Sequence, residues 1–471
     1  MLCTVAALAS AHAVAGEMET VVVDKVIEGY GGQKFKNLKS ILIESDLRFG
    51  WIGQGHTPDF VELEPMRKIH QFDLVNQRAS EEAWGNHGAY SEHVFFDEAG
   101  QTEVNFIDST YEINADAGYY DHFGGEIRTI DTMIARELLK QRDTATYIRD
   151  EYYRGDLHHV IDFDMLETTV DPTLWIHAET GHISLMKREV PDYMTYSYAF
   201  EDFRQTGGIS YAEDFVLYAG RDVIEYTKSR SIKPNRVKSS LFTVGRGISP
   251  APESWDTSEM TVEGVTSDLY QVGQGGSYSA FLDAGDYLIG LGGYGGLKDR
   301  YNAYVEAFGE KPLRYLVLTH HHSDHIQGAA DALELGATLV MPETARYNVN
   351  TAVGSEVPAE KLMILADEKT TIDGVDIHMI STPHVQNYAL LYIPSSKAVF
   401  QEDLYNNNIK TRAARVTKTS LSLKTEVDRL GLDVEHILGA HSRKVESWAD
   451  FAVQANIPVL GPCPSKRPIC S

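Results

Sequence analysis

At 471 residues the chain is longer than one compact core ordinarily needs, so two domains are expected. Its 43% hydrophobic and 23% charged content is that of a soluble globular protein, and no apolar run is long enough to span a bilayer. A formal net charge of -26 repels phosphate backbones, which argues against nucleic acid as substrate or partner without identifying the substrate, for which a small molecule is the expectation.

The chain opens on MLCTVAALASAHAVA, small and apolar throughout, ending in two A-x-A patterns at Ala11-His12-Ala13 and Ala13-Val14-Ala15. Residues 1–15 therefore read as a secretory signal, although no Lys or Arg precedes the apolar run. A periplasmic or secreted location follows from it. The reading extends to the tail at 457–471: with Cys3 removed, only Cys463 and Cys470 remain, which are either a small disulfide loop in an oxidising compartment or a pair of free surface thiols.

Residues 16–245 begin with a helix around Glu17–Tyr30, which stops at Gly31-Gly32. Strand-like runs follow at Ser40–Trp51, Arg67–Val75, Tyr90–Phe96, Glu103–Ile107, His158–Phe163, Leu174–His177 and Ile183–Arg188. They are rich in β-branched and aromatic residues and separated by turn residues. One further helix is expected at Ile127–Gln141, with Ile130, Met133, Ile134, Leu138 and Leu139 on its apolar face. The outcome is a β-rich α+β domain. Ten of the eighteen histidines lie at or before His182 without ligand spacing, and His158 and His159 should face opposite sides of a strand. Tyr153-Arg154-Gly155 before a strand, then Leu174-Trp175-Ile176 and Thr180-Gly181, resemble a pattern of periplasmic lipoprotein carriers of the LolA/LolB type. That resemblance implies a curved sheet able to hold an acyl chain.

Periodicity of both kinds lapses in GRGISPAPESWD, so residues 246–255 read as a linker. From 256 to 456 strands alternate with helices, the pattern of an α/β sandwich. Strands are expected at Asp268–Val272, Ser277–Leu282, Asp286–Leu291, Leu313–Leu318, Thr338–Met341, Asp376–Ser381, Tyr388–Ile393, Ala398–Gln401 and His436–Leu438. Helices are expected at Leu297–Phe308, Ala329–Leu335, Ser420–Leu430 and Val445–Ala455.

The apolar strand Leu313–Leu318 runs into Thr319-His320-His321-His322-Ser323-Asp324-His325. A loop at the carboxyl edge of a sheet is a common ligand position. In extended backbone His320 and His322 project together while His321 projects away, exposed or packed outward, and Asp324 and His325 follow at the start of a helix. Three imidazoles and a carboxylate in this arrangement suit a borderline-soft divalent metal.

His320, His322, Asp324 and His325 match in full the H-x-H-x-D-H signature of the metallo-β-lactamase superfamily, which the C-terminal half resembles. The resemblance implies an αββα sandwich and further ligands at strand ends. In order these are His384 after Ser381, Asp403 after Gln401, and His441 in Leu438-Gly439-Ala440-His441. It implies two Zn²⁺ (iron or manganese being alternatives), one held by His320, His322 and His384, the other by Asp324, His325 and His441, with Asp403 bridging. A metal-bound hydroxide would attack an ester, thioester, lactone or amide, with Asp324 orienting it and relaying a proton. Glu402, His378 and His436 lie off the pattern, so solvated or supporting roles are expected, and Tyr294 and Tyr405 are candidate wall residues.

Two departures stand out. Relatives carry an Asp within an apolar-Asp-x-Gly pattern that buttresses the metal loop, whereas this chain has Leu288-Ile289-Gly290-Leu291-Gly292-Gly293. The third histidine is flanked as Pro383-His384-Val385 rather than Gly-His-Thr. Asp403 and the short tail disfavour true β-lactamases and glutathione thioesterases respectively. Two other functions compete: an iron-dependent oxygenase of the persulfide-dioxygenase type, and a periplasmic protein whose N-terminal domain binds a lipid or small molecule.

Overall fold

A computed structural model describes residues 18–58, 61–85, 91–165, 170–191 and 193–457. The expected signal segment and the Cys463/Cys470 pair lie outside the described residues. Two units are present. One holds the described residues up to Gly50 together with Leu63–Ser249; the other holds Trp51–Glu62 and the described residues from Pro250 onward. The chain therefore contributes a twelve-residue segment to the second unit from between two strands of the first.

The first unit is dominated by one antiparallel sheet. β1 (Ser40–Phe49), β2 (Glu64–Asp73), β3 (Arg78–Gly85), β4 (Ser91–Asp97), β5 (Gly100–Asn105) and β6 (Thr110–Asn114) form a meander. A second meander comprises β7 (Thr146–Tyr153), β8 (Asp156–Asp162), β9 (Thr173–His177), β10 (Ile183–Val190), β11 (Met194–Thr206), β12 (Ile209–Ala219) and β13 (Asp222–Pro234). Pairing of β1 with β13 joins the halves, and β14 (Ser249–Pro250) edges β6. The sheet is thus much larger than the sequence pattern suggested. β11 to β13 carry charged and tyrosine residues on their outer positions, which weakens the apolar alternation.

Its helices cover residues 18–29, Gln33–Lys36, Tyr119–Arg128 and Asp131–Lys140. The helix expected at Ile127–Gln141 begins later, at Asp131, and a separate helix, Tyr119–Arg128, precedes it. Ile130 is extended (φ -128°, ψ 101°), and the Thr129 hydroxyl turns back to the Glu126 carbonyl at 2.9 Å, ending the first helix. Apolar spacing carries across the break because Ile127, Ile130, Met133 and Ile134 all enter the same interior. His158 is buried against Ser184 (2.9 Å), while His159 meets Asp150 (2.6 Å) on the other side of β8.

The second unit stacks two sheets. β15 (Thr261–Gly264), β16 (Leu269–Gln274), β17 (Ser277–Asp283), β18 (Leu288–Leu291), β19 (Leu313–Val317), β20 (Thr338–Pro342) and β21 (Leu362–Leu365) pair in chain order, antiparallel up to β18 and parallel thereafter. β22 (Lys369–Ile372), β23 (Val375–Ile380), β24 (Tyr388–Ile393), β25 (Ala398–Gln401), β26 (His436–Gly439) and β27 (Glu446–Ser447) form the other, parallel only between β25 and β26. Ala280, Ile289, Val317 and Val340 of the first sheet meet Ile377, Leu391, Phe400 and Leu438 of the second, all fully buried or nearly so. The first sheet's other face packs on the helices Leu297–Phe308, Ala329–Glu334 and Arg346–Val353 through Leu297, Tyr304, Ala332 and Val349. The second sheet's other face packs on Lys418–Leu430 and Trp448–Ala455 through Leu423, Val427 and Phe451. This is the αββα layering. Strands buried on both faces read as continuous apolar runs, which is why β19 and β24 stand out in the sequence.

Candidate metal centre

Each candidate ligand leaves a strand at the same end of the stacked sheets. The His320–His325 loop follows β19, His384 follows β23, Asp403 follows β25 and His441 follows β26. Backbone bonds fix these exits: Leu318 N–H donates to Val340 O (2.9 Å), Ala389 N–H to Thr319 O (2.8 Å) and Tyr278 N–H to Ala440 O (2.8 Å). The helix begins at Ala329 as expected, but Asp324 and His325 do not lie at its start: Ser323–Gly328 is a turn.

The seven residues come together as two groups. Single donor atoms of His320, His322, His384 and Asp403 lie within 4.8 Å of one another, as do those of Asp324, His325 and His441. Asp403 lies between them. Its Oδ2 is 3.1 Å from His320 Nε2, 3.8 Å from His322 Nδ1, 2.9 Å from His384 Nε2 and 2.8 Å from His325 Nε2. Its Oδ1 is 3.0 Å from His441 Nε2. Asp324 Oδ2 faces His325 Nε2 at 3.2 Å and His441 Nε2 at 3.7 Å.

The opposite ring nitrogens fix the tautomers. His320 Nδ1–H donates to Thr319 Oγ1 (2.8 Å), whose hydroxyl donates to Glu402. His322 Nε2–H donates to Gly55 O (3.1 Å), and His441 Nδ1–H to Gly276 O (3.1 Å). His320 Nε2, His322 Nδ1 and His325 Nε2 are left buried with no hydrogen-bond partner. Orphaned imidazole nitrogens converging on a carboxylate are costly unless a cation completes them, so the donor set fits a metal pair.

The electrostatics of His322 and His384 agree with that donor chemistry, whereas His325 is held as a cation by its carboxylate neighbours. Burial, reinforced by His320, pushes His322 down to about 2, and burial likewise lowers His384, so both are neutral imidazoles ready to ligate. Burial alone would raise Asp403, but His325 and the other imidazoles around it hold its carboxyl well below the usual range. Burial opposes the charged form of His325, yet Asp403 and Glu402 hold it well above the ordinary histidine value.

Glu402 is the residue whose role the sequence understated. It is fully buried, so the solvated alternative is excluded. Its Oε1 accepts from Gly293 N–H (3.2 Å) and lies 3.2 Å from His325 Nδ1. Burial would raise its carboxyl, but His325 and His320 bring it down to about 2. A side chain on Gly292 would strike the Phe400 ring at 2.5 Å and Glu402 Oε1 at 3.1 Å, and Gly292 has φ +87°. The missing Asp of the β18 exit is thus explained. Its space is filled from β25, and the supporting carboxylate arrives on Glu402 instead.

The segment 51–62 was not anticipated at all. Gln54 Nε2 donates to Asp324 Oδ1 (2.8 Å) and to Ser323 Oγ (3.1 Å). His321, expected to point away, does so, but it is buried and donates from Nε2 to Gly55 O at 3.0 Å. No spacing rule links positions some 270 residues apart.

Tyr294 stands edge-on to His325 (5.5 Å) and His441 (5.2 Å), a wall position. Its carbonyl is held by the buried Arg300 guanidinium, which also donates to Gly295 O (2.8 Å). Tyr405 is instead buried against Phe451 at 4.7 Å, away from a wall role. His378 and His436 enter neither donor group. In the first unit His70, Glu81 and Glu126 also converge, but there Lys68 Nζ sits 2.9 Å from both carboxylates and supplies the cation itself.

Residues 273–377 match the family described as the Metallo-beta-lactamase superfamily. Solved structures similar to the chain include a metallo-β-lactamase from Hirschia baltica (14% identity, 42% of this chain and 96% of that one, TM-score 0.33). Another is the FIM-1 enzyme of Pseudomonas aeruginosa in its mono-zinc form (15%, 42% and 95%, TM-score 0.34). A third is a metallo-β-lactamase from Pontibacter korlensis (13%, 42% and 100%, TM-score 0.33). The family match lies on the unit that gathers the donors and indicates a metal-dependent hydrolase. His384, Asp403 and His441 lie beyond the matched residues and are placed by geometry alone.

Proposed function

We propose that the chain is a dinuclear zinc hydrolase acting on an ester, thioester, lactone or amide with an apolar portion. The observation that carries this is Asp403, which lies between the two donor groups: its Oδ2 faces His320 and His384 of one and His325 of the other, and its Oδ1 faces His441. Imidazole and carboxylate donors without a thiolate suit zinc at both positions. A metal pair so held would supply an activated water and a Lewis acid for the scissile carbonyl. The chain's own residues do the rest. His320, His322 and His384 would hold one ion and Asp324, His325 and His441 the other, with Asp403 lying between the two groups. Asp324, with Oδ1 held by Gln54 and Oδ2 turned to the donors, is the proton acceptor during attack.

An apolar substrate is supported by Trp51 and Ile52, which are 60% and 39% exposed on the segment whose next residues touch the metal loop. Likeness of the N-terminal unit to periplasmic lipoprotein carriers is supported by the tight Tyr153-Arg154-Gly155 turn (φ 54° at Arg154, 96° at Gly155) between β7 and β8. The apolar leader in the sequence supports export. Metal analysis followed by a panel of lactones, thioesters, phosphoesters and β-lactams tests the proposal. Two equivalents of zinc and turnover of an acyl substrate are expected. One equivalent of iron with oxygen uptake would replace hydrolysis by oxygenase chemistry.

A further inference from the structure

The segment between β1 and β2 is too elaborate for a hairpin connection. Phe49 and Glu64 are paired across the two strands, so two residues would suffice to turn the chain, yet fourteen intervene. The backbone and side chains of Gly53, Gln54, Gly55 and His56 are spent on the metal loops. Ser323 N–H donates to Gly53 O (3.3 Å), and Gly53 has φ 67°, a conformation that suits glycine. Gly55 O accepts from His321 and His322 together. His56 Nε2 lies 3.1 Å from Thr382 O, and His56 O accepts from Gln386 N–H (2.9 Å), which ties the segment to the loop bearing His384. Glu62 Oε2 accepts from His56 N–H (2.8 Å) and closes the segment on itself.

We infer that Gln54–His56 is a positioning element of the metal centre. Gly55 O selects the His322 tautomer that presents Nδ1 to the ion, and the Gln54 amide holds Asp324 Oδ1 so that Oδ2 faces the second position. The inference rests on the metal-centre reading above. Its chemistry is ordinary: imidazole ligands are oriented by the acceptor on their other nitrogen, and removal of such acceptors weakens metal binding roughly 10- to 100-fold. What is particular to this chain is the source of the acceptor. It is supplied from between two strands of the N-terminal sheet, so the C-terminal sequence from Pro250 onward encodes all seven donors but not the groups that orient two of them.

The test uses the full chain. In one variant Gly50–Leu63 is replaced by Asn-Gly, which preserves the β1–β2 register. In two others Gln54→Ala removes the amide and Gln54→Glu, nearly isosteric, sets a second carboxylate against Asp324. Zinc and cobalt affinities are measured by competition with a chelator, with the cobalt absorption spectrum as a report on ligand geometry. The excised variant should lose roughly 10- to 100-fold in affinity with an altered spectrum. Gln54→Glu should lower kcat more than Gln54→Ala, with little change in KM, an order that a merely space-filling role would reverse. Should the excised variant misfold by circular dichroism, the two Gln54 variants decide. Unchanged affinity, spectrum and kcat overturn the inference. Failure of the unmodified chain to take up metal overturns the metal-centre reading and this inference with it.

Discussion

Replacing Glu402 by glutamine keeps the volume of a fully buried side chain but removes its charge from beside two candidate ligands. In the native chain the carboxylate accepts from Thr319, which in turn accepts from His320, and it lies 3.2 Å from His325 Nδ1 while accepting from Gly293 N–H. An amide presents one acceptor and two hydrogens, so at least one hydrogen must face a donor. Two routes give the size of the effect. Displacement of the carboxyl from its usual 4.5 to about 2 corresponds to a preference of about 3 kcal/mol for the charged form. Loss of groups that orient metal ligands typically costs 10- to 100-fold in affinity, or about 1.4–2.7 kcal/mol. The expected result is a zinc dissociation constant raised by one to two orders of magnitude, measured by chelator competition, with the fold retained by circular dichroism. Glu402→Ala should be worse, because it also opens a cavity beside Phe400. Affinity within twofold of the native chain in Glu402→Gln would refute the claim that this carboxylate replaces the missing buttress at the β18 exit.

Asp403→Ala and His322→Ala should each lower metal content below two equivalents and abolish most turnover, read by elemental analysis and single-substrate kinetics; full turnover in His322→Ala would remove that residue from the centre. Trp51→Ala should raise KM for apolar substrates by about 5- to 10-fold, equivalent to about 1 kcal/mol of lost contact, with kcat nearly unchanged; a selective fall in kcat would place Trp51 elsewhere in the reaction. Burial lifts Glu225 to about 7, so the folded first unit binds a proton that the unfolded chain has released. Stability from this group is therefore present below about pH 4.5 and lost as pH rises to about 7, a total of order 3 kcal/mol. Glu225→Gln should flatten that slope in thermal melts between these pH values, and parallel curves for the two proteins would contradict it.

What the sequence determined by itself was local. Alternation along extended backbone placed His320 and His322 together and His321 apart, and apolar runs such as Leu313–Leu318 and Tyr388–Ile393 marked strands buried on both faces. His384, Asp403 and His441 were legible only through the resemblance that the His320–His325 signature carries, which places further ligands at the ends of later strands. Features set by contact across the fold were not legible. The break at Ile130 was hidden because the apolar spacing persists while the backbone does not. Glu402 looked like a bystander until the sheets were stacked and its carboxylate fell where Gly292 leaves room. Gln54 and Gly55 carry no signal of their own: an amide and a backbone carbonyl become supports for a metal ligand only when folding brings a segment 270 residues upstream against Asp324. Donor identity and strand-end position are properties of short windows of chain, whereas tautomer, orientation and carboxylate support are properties of distances that only the tertiary structure sets.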